Sequence, residues 1–382
     1  MKEYMFQSPA RIHFGRGAVS KSGTEAARFG KSALVVTGKG SSARTGSLDA
    51  VLASLKAAGV AATVYAQVES DPSVNTVEAG AKLARENGCD VIVALGGGSP
   101  LDAAKGIAML LTNGGKVTDY EFKSPEKDGT PIIAVPTTAG TGSEITRFTV
   151  LTDTDRKVKM LIQGAGLIPK VALLDPELTL SMPAHVTAGT GMDALTHAIE
   201  AYISKIATPM TDVHALEAIR LIGENLIKAV HGPENMQARE GMLRGQMHAG
   251  LAFGNASVAL VHAMSRPLGA LFGIPHGQAN AMLLPVVMDY NHSAAPERFR
   301  DIARALGENV DDLSLRDAAR TAVLSVEELL EETGLENRLS AFGVKESDID
   351  RLASDAAVNG SCNFNPRKPD KEEIAALYAA VL

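Results

Sequence analysis

The pattern of apolar residues changes once along the chain, near residue 183, and this change limits the folds open to the protein. After that point almost only helical periodicity remains, with Pro and Gly between segments. Before it, short β-branched runs alternate with helical stretches, which predicts a parallel sheet with right-handed crossovers. The predicted strands are 33–37, 61–66, 90–95 and 132–135, the predicted helices are 45–58, 74–86 and 100–111, and a further strand pair is predicted at 147–151 and 171–175.

Composition excludes several classes of protein. Cys89 and Cys362 are the two cysteines and lie far apart, so we expect neither a disulfide framework nor cysteine-ligated zinc. The net charge of −7 argues against a general nucleic-acid binder. The chain has no apolar run of the roughly 18 residues that a membrane span needs, and no signal-peptide core near its start. We therefore expect a cytoplasmic protein that contacts neither membrane nor nucleic acid.

A glycine-rich turn after the predicted strand 90–95 is typical of a phosphate site. Gly96, Gly97 and Gly98 allow a ligand to approach the backbone, and the helix that follows offers free N–H groups. We predict Ser99 as the N-cap of this helix and Pro100 as its first residue. The alternative is a tight strand-to-helix turn without a ligand, which needs only one glycine.

Two further loops are candidates for cofactor contacts. The stretch 38–43 follows the strand 33–37 and matches the short Gly-x-Gly-x-x-Ala form of the dinucleotide fingerprint, which predicts a second wall of the cofactor site. The other is a hydroxyl-rich loop, which suits ribose, phosphate and amide groups but also describes an ordinary turn. Its hydroxyl residues are Thr137, Thr138, Thr141, Ser143 and Thr146.

The second half contains a candidate metal site. Asp193 and His197 are four residues apart, which places them on one helix face, although an Asp–His hydrogen bond has the same spacing. His262 and His276 lie within one long apolar stretch, and we expect Gly269, Gly273 and Pro275 to break that stretch so that the second histidine turns back. One carboxylate and three imidazoles suit Fe(II), Zn or a similar divalent ion.

Together these segments resemble the iron-containing (group III) alcohol dehydrogenases. The resemblance spans nearly the whole chain and includes GGGSPLDAAK, PTTAGTGSE, GMDALTHAIEAY and HAMSRPLGALFGIPHG. It implies a dehydroquinate synthase-like fold, with an α/β dinucleotide-binding domain with a parallel sheet at 1–183 and an all-α metal-binding domain at 184–382. It also implies NAD(P) and Fe(II), or Zn, as cofactors, and at least a homodimer.

The resemblance assigns roles to residues. The implied metal ligands are Asp193, His197, His262 and His276, and Phe253 is implied to line the substrate side. The implied cofactor contacts are Gly38, Ser41, Gly97, Gly98, Ser99, Asp102, Thr137, Thr138, Thr141, Ser143, Lys159 and Leu178.

The chain departs from the family pattern at two positions. Gly38 stands where NAD-preferring members commonly have Asp, and the missing carboxylate removes repulsion of a 2′-phosphate. With Lys39, Ser41, Ser42 and Arg44 as donors, we predict that NADP(H) is accepted. Arg266 stands where many members have a His, and Arg cannot act as an acid–base group near neutral pH. It is either an anchor for an anionic substrate group or a structural Arg.

The resulting hypothesis is hydride transfer between a nicotinamide and a small primary alcohol or aldehyde. The alternatives are polyol oxidation of the glycerol dehydrogenase type and a metal-binding protein without catalysis. We list Asp193, His197, His262, His276 and Arg266 as the candidate catalytic residues.

Overall fold

The computed structural model describes residues 3–156 and 158–382. It divides into two compact units, one formed by Gln7–Ser181 and the other by Met182–Leu382 with the N-terminal stretch up to Phe6. The first unit contains the strands and the second is helical. The expected fold class, a parallel-sheet domain followed by a helical domain, is confirmed.

The first unit is built on a six-stranded parallel sheet. Its order is β1-β8-β5-β4-β2-β3, so β5 and β4 are central and β1 and β3 form the edges. All residues of β4 and β5 are buried, because helices cover both faces of a parallel sheet. The strands are β1 (Arg11–Phe14), β2 (Ser32–Gly38), β3 (Ala61–Val68), β4 (Val91–Gly96), β5 (Ile132–Pro136), β6 (Phe148–Asp153), β7 (Val158–Gln163) and β8 (Val171–Leu174).

The predicted pairing of strands 147–151 and 171–175 is wrong. Both segments form strands, but β6 pairs with β7 in a separate antiparallel ribbon, and β8 lies between β5 and β1 in the main sheet. β1 and β7 were not predicted. Their short patterns, RIHF and VKMLIQ, mix charged and apolar residues and do not form a continuous apolar run.

The helices of the first unit connect the strands. The predicted helix 45–58 is confirmed as α3, which begins at Ser47 because Gly46 before it adopts a left-handed φ of 76°, and the short helix α2 ahead of it was not predicted. Ser99 as N-cap is also wrong, since α5 already begins at Gly98 with Gly97 as its cap. The helices are α1 (Ser22–Ala26), α2 (Ser41–Arg44), α3 (Ser47–Ala57), α4 (Val74–Glu86) and α5 (Gly98–Asn113).

The second unit consists of helices joined by short connections. Its long helices α6, α7 and α8 pack on one another through small and aliphatic residues such as Ala215, Ile222 and Leu243. The helices are α6 (Ala184–Ile203), α7 (Pro209–His231), α8 (Met236–Ala256), α9 (Leu260–Phe272), α10 (His276–Asn291), α11 (Pro296–Ala305), α12 (Leu315–Thr333), α13 (Ile349–Ala357) and α14 (Lys371–Ala380). None of the helices in the described part of the chain combines the length and apolarity needed to cross a membrane.

The break before His276 follows the prediction in part. Gly273 ends α9 with a φ of 66°, and Pro275 caps α10. Gly269 as a break is wrong, because it lies inside α9 and its carbonyl accepts the Gly273 N–H at 3.1 Å. A single left-handed glycine is sufficient for the reversal, since it has no Cβ to clash.

Candidate metal centre and cofactor loops

The buried face of α6 presents a stripe of ionisable side chains. Asp193, His197 and Glu200 follow one another at spacings of four and three residues, which places them on one side of the helix. All three are buried, at 2%, 5% and 1% exposure, in a helix otherwise lined with Ala, Leu and Ile. Buried ionisable groups need partners, so the residues facing this stripe decide its chemistry.

The facing residues come from α9 and α10. His262 lies in the first turn of α9, and His276 is the first residue of α10. Asp193 Oδ1 lies 3.8 Å from His262 Nε2 and 3.7 Å from His276 Nε2. The ligand atoms of these three residues all lie within 4.8 Å of one another. Two imidazoles and one carboxylate on one point form a set that suits a non-haem Fe(II) or a similar ion.

His197 lies beside this cluster. Its Nδ1 is 3.9 Å from Asp193 Oδ1, and its ring centroid is 4.5 Å from that of His262. Its ring stacks on Phe253, with centroids 4.0 Å apart. The structure thus brings all four predicted ligands into one neighbourhood, with the tightest grouping formed by the other three. The role of His197 as the fourth ligand stays a prediction.

The contacts of Asn280 show that the acceptor atoms of Asp193, His262 and His276 point towards one position. Asn280 lies one turn after His276 on α10 and is fully buried. Its amide Nδ2 donates to Asp193 Oδ1 at 2.6 Å and lies 3.2 Å from Nε2 of both His262 and His276. Its Oδ1 has no hydrogen-bond partner among the described residues. Three acceptors aimed at one electropositive group form an arrangement that fits a divalent cation.

The cluster is buried on one side and open on the other. The side chains of Asp193 and His262 are 3% and 4% exposed, whereas that of His276 is 40% exposed. Burial and the neighbouring His197 lower the pKa of His262 well below its usual range. A histidine held neutral keeps its lone pair available for a metal, and the exposed side gives a small molecule access.

Glu200 reaches His262 from the side opposite the cluster. Its Oε2 accepts from His262 Nδ1 at 2.7 Å and from the Ala259 N–H at 2.8 Å, and its Oε1 accepts from the Val261 N–H at 2.5 Å. Burial raises the pKa of Glu200 to about 7, although the two backbone N–H bonds oppose the rise.

Arg266 lies one turn beyond His262 on α9 and is partly buried. Its Nη1 donates to Asn359 Oδ1 at 3.4 Å, a long hydrogen bond. Burial lowers the pKa of Arg266, and the charges of Glu200 and Cys362 oppose this. The guanidinium therefore adds positive charge close to the Glu200 side of the centre.

In the first unit, the predicted cofactor residues gather at one edge of the sheet. The strands β2, β4 and β5 are parallel neighbours, so their carboxyl ends at Gly38, Gly96 and Pro136 lie side by side. Ser41 begins α2 after β2, and Leu178 lies in the 3-10 turn Pro176–Thr179 after β8. Nucleotides bind at this edge in open parallel sheets.

The glycines after β4 have a second role that the sequence reading did not predict. A Cβ on Gly97 would lie 3.3 Å from Thr138 Cγ2, and one on Gly98 would lie 2.8 Å from Thr141 Cγ2. The glycines therefore allow the loop after β5 to pack against the start of α5. α5 is 16 residues long, so its N-terminus carries a full helix dipole beside these hydroxyls.

Other predicted cofactor contacts are bonded within the protein. Asp102 accepts from Ser143 Oγ at 2.5 Å and from the Val150 N–H at 2.9 Å, so it ties α5 to the loop after β5 and to β6. Lys159 forms an ion pair with Asp71 at 2.8 Å. The Asp71 N–H donates to Ser99 Oγ at 3.3 Å, which connects Lys159 indirectly to the glycine loop.

Sequence reasoning missed Glu200, Asn280 and Asp71. Glu200 continues the spacing of Asp193 and His197 along an apolar helix, and Asn280 is four residues after His276, so helical periodicity could have found both. Asp71 follows the loop 38–43 somewhat too late to fit the acidic position of the dinucleotide fingerprint, so the sequence assigns it no role. It lies in a loop and adopts a left-handed φ of 53°, which only the structure shows.

Known proteins match both units. The family model of iron-containing alcohol dehydrogenases matches residues 9–176, and the model of the C-terminal part of the Fe-containing alcohol dehydrogenase family matches residues 187–382. The chain is 45% identical to 1,3-propanediol dehydrogenase of Klebsiella pneumoniae over 96% of this chain and 95% of that protein. It is 41% identical to NAD-dependent methanol dehydrogenase of Bacillus methanolicus over 99% of each chain.

A solved structure agrees with these matches. The crystal structure of a 1,3-propanediol oxidoreductase superimposes with a TM-score of 0.98 at 44% identity, over the full length of both chains. The chain therefore belongs to the iron-containing alcohol dehydrogenase family.

Proposed function

We propose that this protein is a metal-dependent NAD(P)-linked alcohol dehydrogenase that interconverts small primary alcohols and their aldehydes. The convergence of Asp193, His262 and His276 on one point carries the proposal, because it supplies a site for a Lewis acid next to an exposed face. Iron is the metal the family points to, and the same donors also accept zinc. Relatives named for propanediol and methanol support a small alcohol as the substrate.

The chemistry divides between the bound groups and the protein. When bound, a divalent ion would supply Lewis-acid polarisation of a substrate oxygen, and a nicotinamide would supply the hydride donor or acceptor. Asp193 and the imidazoles of His197, His262 and His276 would hold the ion, and Phe253 places an apolar ring against His197. In the first unit, we propose that the start of α5 and the hydroxyls of Thr138 and Thr141 bind the cofactor phosphates.

We further propose that NADP(H) is accepted beside NAD(H). Lys39, Ser41 and Arg44 are exposed around Gly38, and Arg44 Nη1 lies over Gly40. Ser42 does not join them, because it is buried and its Oγ accepts from Thr37 Oγ1 at 2.9 Å. Two cationic side chains and one hydroxyl, with no carboxylate at position 38, favour binding of the 2′-phosphate of NADP(H).

For Arg266 we propose contact with an anionic group of the substrate. Within the described residues, the side chain to which Arg266 donates is Asn359, and this hydrogen bond is long, so its exchange for one to a carboxylate or sulfonate costs little free energy. Arg266→Ala should then reduce turnover of anionic aldehydes far more than that of neutral ones, whereas Arg266→Lys retains the charge and part of the effect. Equal losses on both substrate classes would assign Arg266 a structural role.

The assay that tests the function uses the purified, metal-loaded protein. It follows NAD(P)H absorbance with a panel of small alcohols and aldehydes, after metal analysis of the same sample. Cofactor turnover with primary alcohols supports the proposal, and bound metal without any redox turnover favours a binding protein. The mass of the protein in solution tests the homodimer or higher homo-oligomer that we propose, and cell fractionation tests a cytoplasmic location.

A further inference from the structure

We propose that Glu200 is a positioning residue of the metal centre, which holds His262 in the one tautomer and orientation that presents Nε2 to the ion. The proposal rests on the metal centre assigned above, but it concerns metal affinity and can fail while the dehydrogenase function stands. Glu200 is not part of the ligand cluster and belongs to none of the candidate contacts derived from the sequence.

The two ring nitrogens of His262 face different partners. Nδ1 lies 2.7 Å from the Glu200 carboxylate, and Nε2 lies 3.8 Å from Asp193 Oδ1, on the cluster side. A carboxylate oxygen at that distance accepts a hydrogen bond from the Nδ1–H, so the ring proton resides on Nδ1 and Nε2 keeps its lone pair. A carboxylate behind a metal-bound imidazole also increases the basicity of the ligand.

The carboxylate is itself held rigidly. It accepts the backbone N–H groups of Ala259 and Val261, at the start of α9, and it is 1% exposed. These bonds fix Glu200 to the same turn of α9 that carries His262. One side chain on α6 therefore sets both the position of the turn and the rotation of the ring.

The connection that leads into α9 needs this support. Ser257 adopts a φ of 66°, which is strained for a residue with a Cβ. Ser204, also from the end of α6, donates to the Ala256 carbonyl at 2.6 Å. The connection between α8 and α9 is thus held from α6 at two points, and Glu200 is the point that touches a metal ligand.

A simpler role is possible for the same contacts, namely capping of α9 without any effect on the metal. The two roles predict different outcomes for stability and for metal affinity. A cap affects how stable the fold is, whereas a positioning residue affects how tightly the folded protein binds the ion. The effect of a positioning residue must also disappear once His262 is removed, because it acts only through that ring.

The test is a Zn²⁺ titration of metal-stripped protein in competition with a chromogenic chelator. The variants are Glu200→Gln, His262→Ala and the double variant, with thermal unfolding of each metal-free form. We expect Glu200→Gln to weaken Zn²⁺ binding about 10- to 100-fold. In the His262→Ala background, the same change should alter the affinity less than about twofold.

The chain offers a matched control in Glu25, which is also buried and bonded to a histidine. Glu25 Oε1 lies 3.1 Å from His13 Nε2 in the first unit, where neither residue belongs to the metal cluster. Glu25→Gln should leave the Zn²⁺ affinity within about twofold of wild type.

Two results would overturn the proposal. One is a lower unfolding temperature for Glu200→Gln with unchanged Zn²⁺ affinity in the folded protein. The other is a loss of affinity that repeats in full in the His262→Ala background. If Glu200→Gln does not fold, Glu200→Asp replaces it. Glu200→Asp keeps the negative charge, but its side chain is one methylene shorter and holds the carboxylate farther from His262. It should therefore give a smaller loss of Zn²⁺ affinity than Glu200→Gln. Unchanged affinity would again overturn the proposal.

Discussion

At the scale of single residues, Gly38 has an environment that accepts a side chain. A Cβ there would lie 3.5 Å from the Val68 carbonyl oxygen and 3.8 Å from Pro100 Cγ, which are ordinary contacts. Its φ is not in the left-handed region, so the backbone does not require glycine. The absence of a side chain at the end of β2 therefore affects what binds beside it more than it affects the fold.

We expect Gly38→Asp to shift cofactor use towards NAD(H). The new carboxylate repels the 2′-phosphate of NADP(H) and can accept from the ribose hydroxyl of NAD(H). The ratio of kcat/KM for NADP⁺ to that for NAD⁺ should fall at least about tenfold, or about 1.4 kcal/mol. Gly38→Asn is the control, since it has the same size without the charge and should retain most of the original ratio. An unchanged ratio in Gly38→Asp would contradict the assignment of this loop to the 2′ position.

The sequence predicted the candidate ligands of the metal centre better than the residues that hydrogen-bond to them. Asp193, His197, His262 and His276 were chosen for donor chemistry and spacing, and the structure brings them together. Glu200 and Asn280 contact this cluster through long-range pairings of helices, which the sequence pattern does not show. Asp102 and Ser143 were each predicted as cofactor contacts, but local sequence gives no sign that they bond to each other.

At the scale of elements, α7 and α8 meet through a pair of histidines. His214 Nδ1 and His248 Nδ1 lie 2.9 Å apart, and the ring of Phe6 stacks on His214 with centroids 5.6 Å apart. Burial lowers the pKa of His214, and burial together with the neighbouring His214 lowers the pKa of His248 from 6.5 to about 4. Glu217 opposes the shift of His248, and Arg220 and Arg244 reinforce it.

This pair should make the helical unit sensitive to acid. Between pH 6.5 and about 4 the unfolded chain binds a proton at position 248 that the folded chain excludes, so stability is lost as the pH falls through this range. We expect a steeper fall of the unfolding temperature in the wild type than in His248→Gln over this range. Thermal unfolding of metal-free protein at several pH values measures both slopes. Parallel curves for the two proteins would show that His248 does not carry the effect.

Element boundaries were predictable where local chemistry decides them. Gly334 ends α12 in the left-handed conformation and Asp370 caps α14, and glycine and aspartate are the residue types that favour these positions. The buried runs of β2, β4 and β5 were equally clear. The pairing of β6 with β7 was not predictable from the sequence, because the partner of a short strand depends on which strand edges the rest of the fold leaves unpaired.

At the scale of the molecule, a metal ion would connect three helices of the second unit. Asp193 lies on α6, His262 on α9 and His276 on α10. A ligand that binds only the folded state stabilises it by mass action, by about 2.7 kcal/mol at a hundredfold excess over Kd. Zn²⁺ or Fe(II) at that excess should raise the unfolding temperature by about 5 to 10 °C, and a chelator should reverse it. The same rise in Asp193→Ala would place the stabilising ion elsewhere.

The most direct test of the account joins the metal centre to the reaction. Wild type, Asp193→Ala and the surface control Lys56→Ala are loaded with Fe(II), analysed for bound metal and assayed for NAD(P)H formation with 1,3-propanediol. The account predicts metal-dependent turnover in the wild type and the control. It predicts that Asp193→Ala loses bound metal and turnover together, by about a hundredfold or more in kcat/KM. Wild-type turnover in Asp193→Ala without metal, or full metal binding in the wild type without any turnover of alcohols or aldehydes, would contradict it.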